Sequence, residues 1–442
     1  MKRKRILVTL TAGVLAFGLS GCNTGSPMKP ADNTSAGADS SAEAKSPAGG
    51  TASAPDNTIQ FWNSFTGTDG DVLRDIVNQY NKENKNGYKI EMDIMPANSM
   101  EEKLPASIAT GTAPALVIKG NFDSATYGEN GTFIPLDDFF DKTGTDKNDF
   151  SETSLSALQY DGKQIMIPMQ VHTTYLFWNK DLFKEVGLDP DTPPATWEKV
   201  EEYAGKLTDS SKKIYGVGFP VSGAPCYFDA MFKSNGGDVV SEDGTSSVLD
   251  SEANVKTLQY IQDLAQGGCA PVGATGADTD NLMLAGQLGI YMSGPWLING
   301  LKENDIHYGV AAMPAGLDGA KGVVEVQGFG VTSSATEQQK KIAYDFIAYW
   351  NSKDVCKQWS LKNGYPPYLK SVAEDPEIQS DETVKALSGI NDFGFAFAPG
   401  VKAASQINSD VLFPLVESVV AGNDVQTELT SASQEVDKLL KK

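Results

Sequence analysis

The sequence predicts an α/β protein with two lobes. Short apolar segments alternate along the chain with segments whose apolar residues recur at a helical spacing, which is typical of parallel sheets covered by helices. The pattern runs once from about residue 57 and begins a second time near residue 164. The chain has 442 residues, of which 40% are hydrophobic, so two or three domains and a sizeable core are expected.

The first lobe opens with three strands separated by two helices. Strands are indicated by apolar runs or by apolar residues at every second position, and helices by apolar residues at spacings of three and four. The predicted elements are a strand at 59–62, a helix carrying Leu73, Ile76, Val77 and Tyr80, a strand at 89–94, a helix after the capping pair Ser99 and Glu102, and a strand at 115–118. This order predicts a parallel sheet with right-handed connections.

The second lobe shows the same alternation. Its predicted elements are strands at 164–168 and 175–178, a helix after Thr196, a strand at 215–219, a helix at 252–266, and strands at 289–292 and 308–311. A further strand at 328–331 precedes the capping pair Ser334 and Glu337 and a helix with the stripe Ile342, Phe346, Tyr349 and Trp350.

The N-terminus has the pattern of an export signal. Four basic residues at 2–5 precede an apolar stretch at 6–19, which is too short and too often interrupted to span a membrane comfortably. The stretch ends in Leu-Ser-Gly-Cys at 19–22, which resembles the bacterial lipoprotein box. We therefore expect residues 1–22 to be a signal peptide and lipobox, with Cys22 lipidated and holding the protein at the membrane.

Residues 23–56 contain no Val, Leu, Ile or aromatic residue and are rich in Ser, Ala, Gly, Pro and Thr. Such a segment cannot offset the entropy lost on ordering by burying apolar surface. The composition predicts a flexible tether between the anchor and the folded part.

Charge and cysteine content limit the partners. The formal charge is −21, and removing the four positive residues of the signal, which has no acidic residue, leaves −25. This disfavours nucleic acid, since phosphate binding needs clustered Lys and Arg. Three cysteines follow Cys22, and their odd number leaves a disulfide between Cys226 and Cys269 an open alternative.

Motifs of known enzymes are largely absent. His172 and His307 are the two histidines, and neither has a second histidine at metal-ligand spacing. There is no Gly-x-Ser-x-Gly or Walker motif, the segment 328–330 lacks the third glycine of a dinucleotide site, and 278–280 lacks the rest of a calcium loop. We expect no catalytic residue, metal or cofactor, although the many carboxylates leave a glycosidase pair open.

Polar and aromatic residues at strand ends and turns suit a hydroxylated ligand, whose C–H faces stack on aromatic rings and whose hydroxyls need fixed polar partners. The candidate ligand-binding residues are Trp62, Asn63, Ser64, Asn121, Phe122, Gln170, His172, Tyr227, Asp229 and Trp296. Core packing is the competing role for Trp62 and Trp296, and a hinge hydrogen bond for His172. The other tryptophans, Trp178, Trp197, Trp350 and Trp359, are expected to be structural.

Several stretches resemble one known family. They are Val171-His172-Thr173-Thr174 through Trp178-Asn179-Lys180-Asp181-Leu182-Phe183 and on to Pro194-Ala195-Thr196-Trp197, Ala109-Thr110-Gly111-Thr112-Ala113-Pro114, Met292-Ser293-Gly294-Pro295-Trp296, and Phe329-Gly330-Val331. In this order they are similar to the extracellular solute-binding proteins of family 1, the maltose-binding-protein-like receptors of ABC sugar importers.

The resemblance implies a periplasmic-binding-protein-like fold, with two hinged lobes that close on a ligand in the cleft between them. It implies an N-terminal lobe of 57–168 and 331–352 and a C-terminal lobe of 169–330 and 353–442. Residues 168–172 would form the first crossing, Trp296 would stack on the ligand, and Tyr365 in the loop 364–367 would also face the cleft. The region around Tyr227 and Asp229 matches the family only loosely.

The function implied is that of the substrate-binding subunit of an ABC importer, which captures a mono- or oligosaccharide without altering it. Its partners would be the permease subunits and, through Cys22, the membrane, and we expect an extracytoplasmic monomer. The alternatives are a tethered glycosidase or esterase, and a receptor for a polyol phosphate, a polyamine or a metal chelate. The candidate loops contain no Arg or Lys, which favours an uncharged solute.

Overall fold

The computed structural model describes residues 57–221, 227–390 and 394–441. The predicted signal peptide with Cys22, the predicted tether and Cys226 of the alternative disulfide lie outside the described residues. Among the residues described, Cys269 and Cys356 are free thiols. None of the helices that can be described combines the length and the apolar character needed to cross a membrane.

Strands are numbered in chain order. They are β1 (Thr58–Asn63), β2 (Lys89–Ile94), β3 (Leu116–Gly120), β4 (Gln159–Tyr160), β5 (Lys163–Gln164), β6 (Ile167–His172), β7 (Tyr175–Asn179), β8 (Tyr215–Gly218), β9 (Leu288–Ser293), β10 (Tyr308–Ala312), β11 (Gly322–Val323), β12 (Glu325–Val331) and β13 (Gly394–Phe395).

Helices are numbered in the same way. They are α1 (Thr68–Glu83), α2 (Ala97–Thr110), α3 (Ser124–Glu129), α4 (Phe139–Thr143), α5 (Glu152–Ser156), α6 (Lys180–Glu185), α7 (Trp197–Leu207), α8 (Tyr227–Ser234), α9 (Glu252–Gln266), α10 (Gly276–Leu284), α11 (Leu297–Glu303), α12 (Glu337–Trp350), α13 (Lys353–Asn363), α14 (Lys370–Ala373), α15 (Pro376–Ser380), α16 (Glu382–Ile390), α17 (Ala404–Gln406), α18 (Phe413–Val420) and α19 (Val425–Leu440). Single 3-10 turns lie at Asn121–Asp123 and Lys147–Asp149, and a π-helical turn at Ile407–Leu412.

The first lobe is built on a five-stranded sheet of order β2-β1-β3-β12-β6. Strand β1 pairs in parallel with β2 and β3, as predicted, while β12 runs antiparallel to both β3 and β6. Helices α1, α12 and α13 contribute buried residues to one face, and α2 and α3 to the other. The carboxyl ends of β1, β3 and β6 therefore meet at one edge of the sheet, beside the beginning of β12.

The second lobe is built on a four-stranded sheet of order β10-β7-β9-β8. Strand β7 is antiparallel to β9 and β10, and β8 is parallel to β9. Helices α7, α9, α18 and α19 cover one face, and α10, α11 and α16 cover the other. The carboxyl ends of β8, β9 and β10 therefore meet beside the beginning of β7.

Short crossings bring these two sheet edges together. Only Thr173 and Thr174 lie between the end of β6 and the beginning of β7, and the segment 313–324 returns the chain from β10 to β12. The two crossings are joined by a hydrogen bond of 3.1 Å from the Thr173 hydroxyl to the carbonyl of Val323. The cleft between the lobes is thus lined by the carboxyl ends of strands from both sheets.

Two of the predicted helix starts were wrong and one is confirmed. Helix α2 already begins at residue 97 with Pro96 as its N-cap residue, so Ser99 lies inside the first turn and does not occupy the cap position. Helix α12 is capped by Thr336, whose hydroxyl accepts from the amide of Gln339 in a capping box, and not by the predicted Ser334 and Glu337. Thr196 does cap α7, since its hydroxyl accepts from the amide of Lys199.

The packing differs from the predicted lobe limits in two places. Strand β12 joins the first sheet from Glu325 onward, six residues before the predicted limit of 331. Helices α13 to α15, predicted to belong to the second lobe, contribute Trp359, Val372 and Ile378 to the core of the first. The reason is a tertiary contact between α12 and α13, because the centroid of the Trp359 ring lies 5.1 Å from that of Trp350 at the end of α12.

Candidate functional site

The candidate site is the cleft between the two facing sheet edges. Ligands of open α/β sheets bind beyond the carboxyl ends of the strands, where loops and helix starts supply side chains from several elements. The predicted residues at this edge are Asn63 and Ser64 at the end of β1, Asn121 and Phe122 after β3, Gln170 and His172 in β6, and Trp296 after β9. Tyr365 enters from the loop that follows α13.

An aromatic seam crosses the cleft. It consists of Phe65, Trp359, Tyr365, His172 and Trp296, in that order. Phe65 and Tyr365 stack on either side of Trp359, with ring centroids 6.0 and 5.5 Å away. His172 lies 5.7 Å from Tyr365 and 5.5 Å from Trp296. The seam therefore joins the core of the first lobe to the cleft side of the second.

A chain of hydrogen bonds runs beside the seam. The indole N–H of Trp359 donates to Gln170 Oε1 at 3.1 Å, and Gln170 Nε2 donates to Gln327 Oε1 at 3.3 Å. Gln327 Nε2 then donates to Glu325 Oε1 at 3.1 Å. Gln170 and Gln327 are directly opposite each other on β6 and β12. We call the bonded side chains of Gln170, Gln327 and Glu325 the glutamine chain. It uses amide groups that would otherwise be open to a ligand. Only Gln170 was predicted from the sequence.

His172 is buried at the end of β6, with 2% of its surface exposed. Its Nδ1 lies 3.2 Å from the carbonyl of Thr173, and its Nε2 lies 4.0 Å from Glu325 Oε2. Burial lowers the pKa of the imidazole, and the charge of Glu325 opposes this shift. The ring therefore stays neutral at physiological pH and serves as a polar aromatic group at the hinge.

Asp69 brings a buried carboxylate from the first lobe. It lies in the first turn of α1, where Oδ1 accepts from the amide of Gly70 at 2.9 Å and Oδ2 from the hydroxyl of Tyr365 at 3.4 Å. Only 5% of the side chain is exposed. Burial raises the pKa of Asp69 to about 6 because it disfavours the charged form, and the two hydrogen bonds limit the shift.

Asp280 brings a second, partly buried carboxylate from α10 in the second lobe. It accepts a hydrogen bond of 2.9 Å from the hydroxyl of Tyr291. Burial raises its pKa to about 6, and the negative charge of Asp69 raises it further. The two carboxylates thus face the same cleft from opposite lobes. Neither was among the predicted site residues.

Trp296 is only partly buried, and its ring folds back over the turn that carries it. A Cβ atom on Gly294 would lie 1.8 Å from the ring carbon Cζ3 of Trp296, so this position needs glycine. The ring meets that of His172 in an edge-to-face arrangement, with the ring centroids 5.5 Å apart. One face of a large aromatic side chain is therefore held at the second-lobe wall of the cleft.

Two hydroxyl groups on the same wall lack partners. Ser293 and Thr174 are buried, and neither hydroxyl oxygen has a hydrogen-bond partner among the residues that the structure describes. Ser293 ends β9, directly before the turn of Trp296, and it pairs with Tyr175, the neighbour of Thr174. Buried hydroxyls normally find a partner, so this wall has unused hydrogen-bonding capacity beside the tryptophan.

The predicted asparagines shape the loops of the first lobe. Asn63 Oδ1 accepts from the amide of Phe65 at 3.1 Å, and its Nδ2 donates to the carbonyl of Asp93 at 3.4 Å. Asn121 Oδ1 accepts from the amide of Val326 at 3.0 Å. These amides are therefore already engaged within the protein.

Four of the predicted residues are not members of the seam. Trp62 is partly buried against the core under α2, and Ser64 is partly exposed beside it. Asp229 is buried in α8, whose neighbouring residues Phe228 and Ala230 belong to the core of the second lobe, and Tyr227 is the first residue of that helix. The seam does not include any of these four.

A second contact between the lobes lies at the Phe122 side of the cleft, and we call it the rim contact. Phe122 meets Phe397 edge to face at 5.8 Å and packs against the core of the second lobe. Close by, the hydroxyl of Thr126 donates to the carbonyl of Lys402 at 2.9 Å, and Lys402 forms an ion pair with Glu129. Phe122 therefore packs against the other lobe, and its predicted contact with the ligand stays a prediction.

The charge of the site is acidic. Asp69, Asp280 and Glu325 surround the seam, and neither the seam nor the glutamine chain contains a Lys or Arg. A buried lysine of the first lobe, Lys119, is already paired with Glu101 and Asp123. In the part of the chain that the structure describes, no cluster of three metal-ligating side chains is present. Aromatic faces beside carboxylate acceptors suit a guest with C–H faces and donor hydroxyls.

Comparisons with known proteins agree with this arrangement. A family model for bacterial extracellular solute-binding proteins matches residues 75–386. A putative binding protein of Brucella abortus (strain 2308) is 26% identical over 391 residues, covering 86% of this chain and 92% of the relative. The sn-glycerol-3-phosphate-binding periplasmic protein of Shigella dysenteriae serotype 1 is 30% identical over 335 residues, covering 71% and 75%.

Among solved structures, an ABC transporter solute-binding protein from Thermotoga lettingae bound with α-D-tagatose superposes with a TM-score of 0.79. It is 20% identical in sequence and covers 87% of this chain and 100% of its own. This likeness confirms the predicted two-lobed fold of periplasmic solute-binding proteins.

Proposed function

The chain belongs to the family of bacterial extracellular solute-binding proteins, and on this premise we propose that it is the substrate-binding subunit of an ABC importer for a carbohydrate. The guest is a mono- or oligosaccharide that the two lobes enclose. The observation that carries this proposal is the partly exposed ring of Trp296 on a cleft that also holds the buried Asp69, the partly buried Asp280 and two hydroxyls without a partner among the residues described.

The chemistry of the cleft favours an uncharged polyol over an anion. An aromatic ring offers a stacking surface for the C–H face of a sugar, while Asp69 and Asp280 can accept from its hydroxyls. A phosphorylated guest needs Lys or Arg, and the buried Lys119 is already neutralised by two carboxylates. The α-D-tagatose bound to the Thermotoga lettingae protein is a guest of this uncharged kind.

Binding proceeds by closure of the lobes about the crossings at 173–174 and 313–324. The guest can shift the equilibrium between open and closed forms only by its preference for the closed form, and moving from mostly open to mostly closed takes about 5.5 kcal/mol. Stacking on Trp296 and hydrogen bonds to both lobes supply that preference. The proposal keeps the other predicted contacts, which are Trp62, Asn63, Ser64, Asn121, Phe122, Gln170, His172, Tyr227, Asp229 and Tyr365. It adds four residues found in the structure, which are Asp69, Asp280, Ser293 and Thr174.

The importer context is proposed from the sequence features at the N-terminus together with the family. Lipid on Cys22 holds the protein at the outside of the membrane, and residues 23–56 form a flexible tether that lets the folded part move above the membrane surface. The protein works as a monomer, delivers its guest to permease subunits and releases it chemically unchanged.

A second candidate guest is a polyol phosphate, because the Shigella dysenteriae relative is an sn-glycerol-3-phosphate-binding protein. The acidic charge of the cleft opposes it. The two candidates are separated by testing sn-glycerol-3-phosphate beside neutral sugars.

The test is a ligand screen of the chain expressed from residue 23, by thermal shift and then calorimetry. The panel contains D-tagatose, glucose, maltose, maltotriose, sn-glycerol-3-phosphate and spermidine. A true guest at a hundredfold excess over its Kd should stabilise the protein by about 2.7 kcal/mol. We expect a neutral carbohydrate to bind and to be recovered intact. Stabilisation by sn-glycerol-3-phosphate or spermidine alone, or recovery of a cleaved sugar, would contradict the proposal.

A further inference from the structure

His172 and Glu325 form a cross-strand pair where the two lobes meet. They lie directly opposite each other, His172 as the last residue of β6 and Glu325 as the first residue of β12, each next to one of the crossings. His172 Nε2 lies 4.0 Å from Glu325 Oε2, and the two side chains are only 2% and 18% exposed. The two groups are thus nearly enclosed, but they are too far apart for a hydrogen bond between them.

The Nε2 atom of His172 is a hydrogen-bond acceptor. The other ring nitrogen, Nδ1, lies 3.2 Å from the carbonyl oxygen of Thr173. A carbonyl oxygen can only accept, so Nδ1 carries the proton of the neutral ring and Nε2 carries a lone pair. Burial keeps the ring neutral, since it lowers the pKa of the imidazole. Among the residues that the structure describes, none donates a hydrogen bond to Nε2.

The glutamine chain orients the carboxylate of Glu325 from the core of the first lobe. An indole N–H can only donate, so the bond from Trp359 makes Gln170 Oε1 the acceptor and Gln170 Nε2 the next donor. Gln327 is oriented in the same way and donates to Glu325 Oε1. The direction of every bond in the chain therefore follows from one buried tryptophan. Glu325 Oε2 is left on the side of His172, without a donor among the residues described.

Two acceptors that face each other can be paired only by hydrogens from another molecule. A single hydroxyl group has one hydrogen and serves only one of them. Two hydroxyls on adjacent carbons of a sugar have two hydrogens at neighbouring positions, so they serve both. A phosphate group offers strong acceptor oxygens and negative charge, which the carboxylate repels. The chemistry of the pair therefore favours a neutral diol over a phosphate.

We propose that His172 and Glu325 are specificity-determining residues of the cleft, and that together they accept hydrogen bonds from two adjacent hydroxyls of the bound carbohydrate. The substrate class is a sugar whose ring at the hinge has an unsubstituted vicinal diol. This inference rests on the proposed function, since the pair has a use only if a carbohydrate enters the cleft. Gln170 and Gln327 act through Glu325 and are positioning residues.

The first arm of the test needs no guest. Nitrogen NMR of the isotope-labelled, tag-free protein reports which ring nitrogens of a histidine carry hydrogen, and His307→Gln leaves His172 as the one histidine of the chain. We expect hydrogen on Nδ1 alone at neutral pH, because the carbonyl of Thr173 selects that tautomer. A ring with hydrogen on Nε2 at neutral pH overturns the proposal, since Nε2 would then be a donor that faces Glu325.

The second arm measures the affinity for glucose, D-tagatose, maltose and maltotriose by calorimetry. Glu325→Gln should weaken the binding of whichever sugar the wild type takes by about ten- to hundredfold, because a charged acceptor is lost. His172→Phe keeps a ring in the seam but removes the acceptor, and it should weaken binding by about three- to tenfold. Glu102→Gln and His307→Phe change exposed residues of the same types, so these matched controls should leave the affinity unchanged.

Monodeoxy analogues of the sugar that binds identify the hydroxyls involved. Two analogues should bind the wild type poorly, and the hydroxyls that they lack should be on adjacent carbons. With one of these two analogues, the loss caused by Glu325→Gln should be at least about threefold smaller than with the parent sugar, because the hydroxyl that meets the carboxylate is already missing. Sensitive hydroxyls that are not adjacent, or an equal loss with the parent sugar and both analogues, overturn the proposal.

The two arms separate this inference from the function on which it rests. If the wild type binds no sugar of the panel, the proposed function is at fault, while the NMR spectra still decide whether His172 presents an acceptor to Glu325. If a sugar binds and both Glu325→Gln and His172→Phe keep the wild-type affinity, the proposed function stands and this inference is wrong.

Discussion

The two walls of the cleft use their polar groups differently. On the first-lobe wall, Gln170, Gln327, Asn63 and Asn121 all bond to other parts of the protein, and Tyr365 and Trp359 are fully buried in the seam. On the second-lobe wall, Trp296 is partly exposed, and the hydroxyls of Ser293 and Thr174 lack partners among the residues described.

This difference assigns separate roles to the walls. Amide groups that already hold one bond within the protein have less hydrogen-bonding capacity left for a guest, so the first wall contributes mainly shape and rigidity. A buried hydroxyl without a partner gains the full value of a hydrogen bond when a guest supplies it. Most of the guest's specific bonds should therefore form with the second wall, and changes on the first wall should affect stability more than affinity.

The largest effect is expected for Trp359→Ala on the first wall. The substitution removes a buried ring that stacks on two others and leaves Gln170 without its donor, so the free energy of unfolding should fall by about 3–5 kcal/mol. Urea unfolding measures this, with Trp296→Ala as the comparison, which should lose affinity but little stability. If Trp359→Ala lowered the free energy of unfolding by less than Trp296→Ala, the separate roles of the two walls would be wrong.

A smaller effect, dependent on pH, is expected from Asp69. Burial raises its pKa from 3.8 to about 6, so the folded state binds the proton more tightly and the free energy of unfolding should fall as pH rises from about 4 to above 6. Asp69→Asn removes this penalty and should stabilise the protein at pH 7.5 by about 1–3 kcal/mol, but not at pH 4. Urea unfolding at both pH values measures the change.

The control for this prediction is Asp75→Asn, an exposed carboxylate on the same helix. It should not alter the dependence of stability on pH. A stability gain for Asp69→Asn that is the same at pH 4 and pH 7.5 would show that the carboxylate is not charged in the folded protein at neutral pH.

The smallest effect is expected at the rim contact, which lies away from both walls of the seam. Lys402 and Glu129 are about half exposed, and ion pairs at exposed positions contribute little to stability. Lys402→Glu should weaken closure and thus sugar affinity by about two- to fivefold at low salt. Glu129→Lys should do the same, and the doubly reversed protein should recover. If affinity stays low in the doubly reversed protein, the ion pair does not support closure of the lobes.

Local patterns were sufficient to predict most of the secondary structure. The helix at 252–266 and the cap at Thr196 are confirmed because the signals lie within a few residues of each other. The packing of α13 differs from the predicted lobe limits because it depends on Trp359 meeting Trp350, a tertiary contact that periodicity does not reveal.

The site was predicted in part for the same reason. His172, Trp296 and Gln170 could be named because they end strands or follow them in the sequence. The chain has 57 acidic residues, and the sequence alone does not distinguish Asp69 and Asp280 from the rest of them. What distinguishes Asp69 is a hydrogen bond to Tyr365, 296 positions along the chain, and only the fold brings the two together.

Closure of the two lobes around a neutral sugar can be measured by small-angle X-ray scattering. The chain expressed from residue 23 is compared with and without a saturating carbohydrate from the screen. If the lobes close, the radius of gyration should be smaller in the presence of the sugar, and Trp296→Ala should show no such change at the same sugar concentration. An unchanged radius at a sugar concentration that calorimetry shows to be saturating would contradict it.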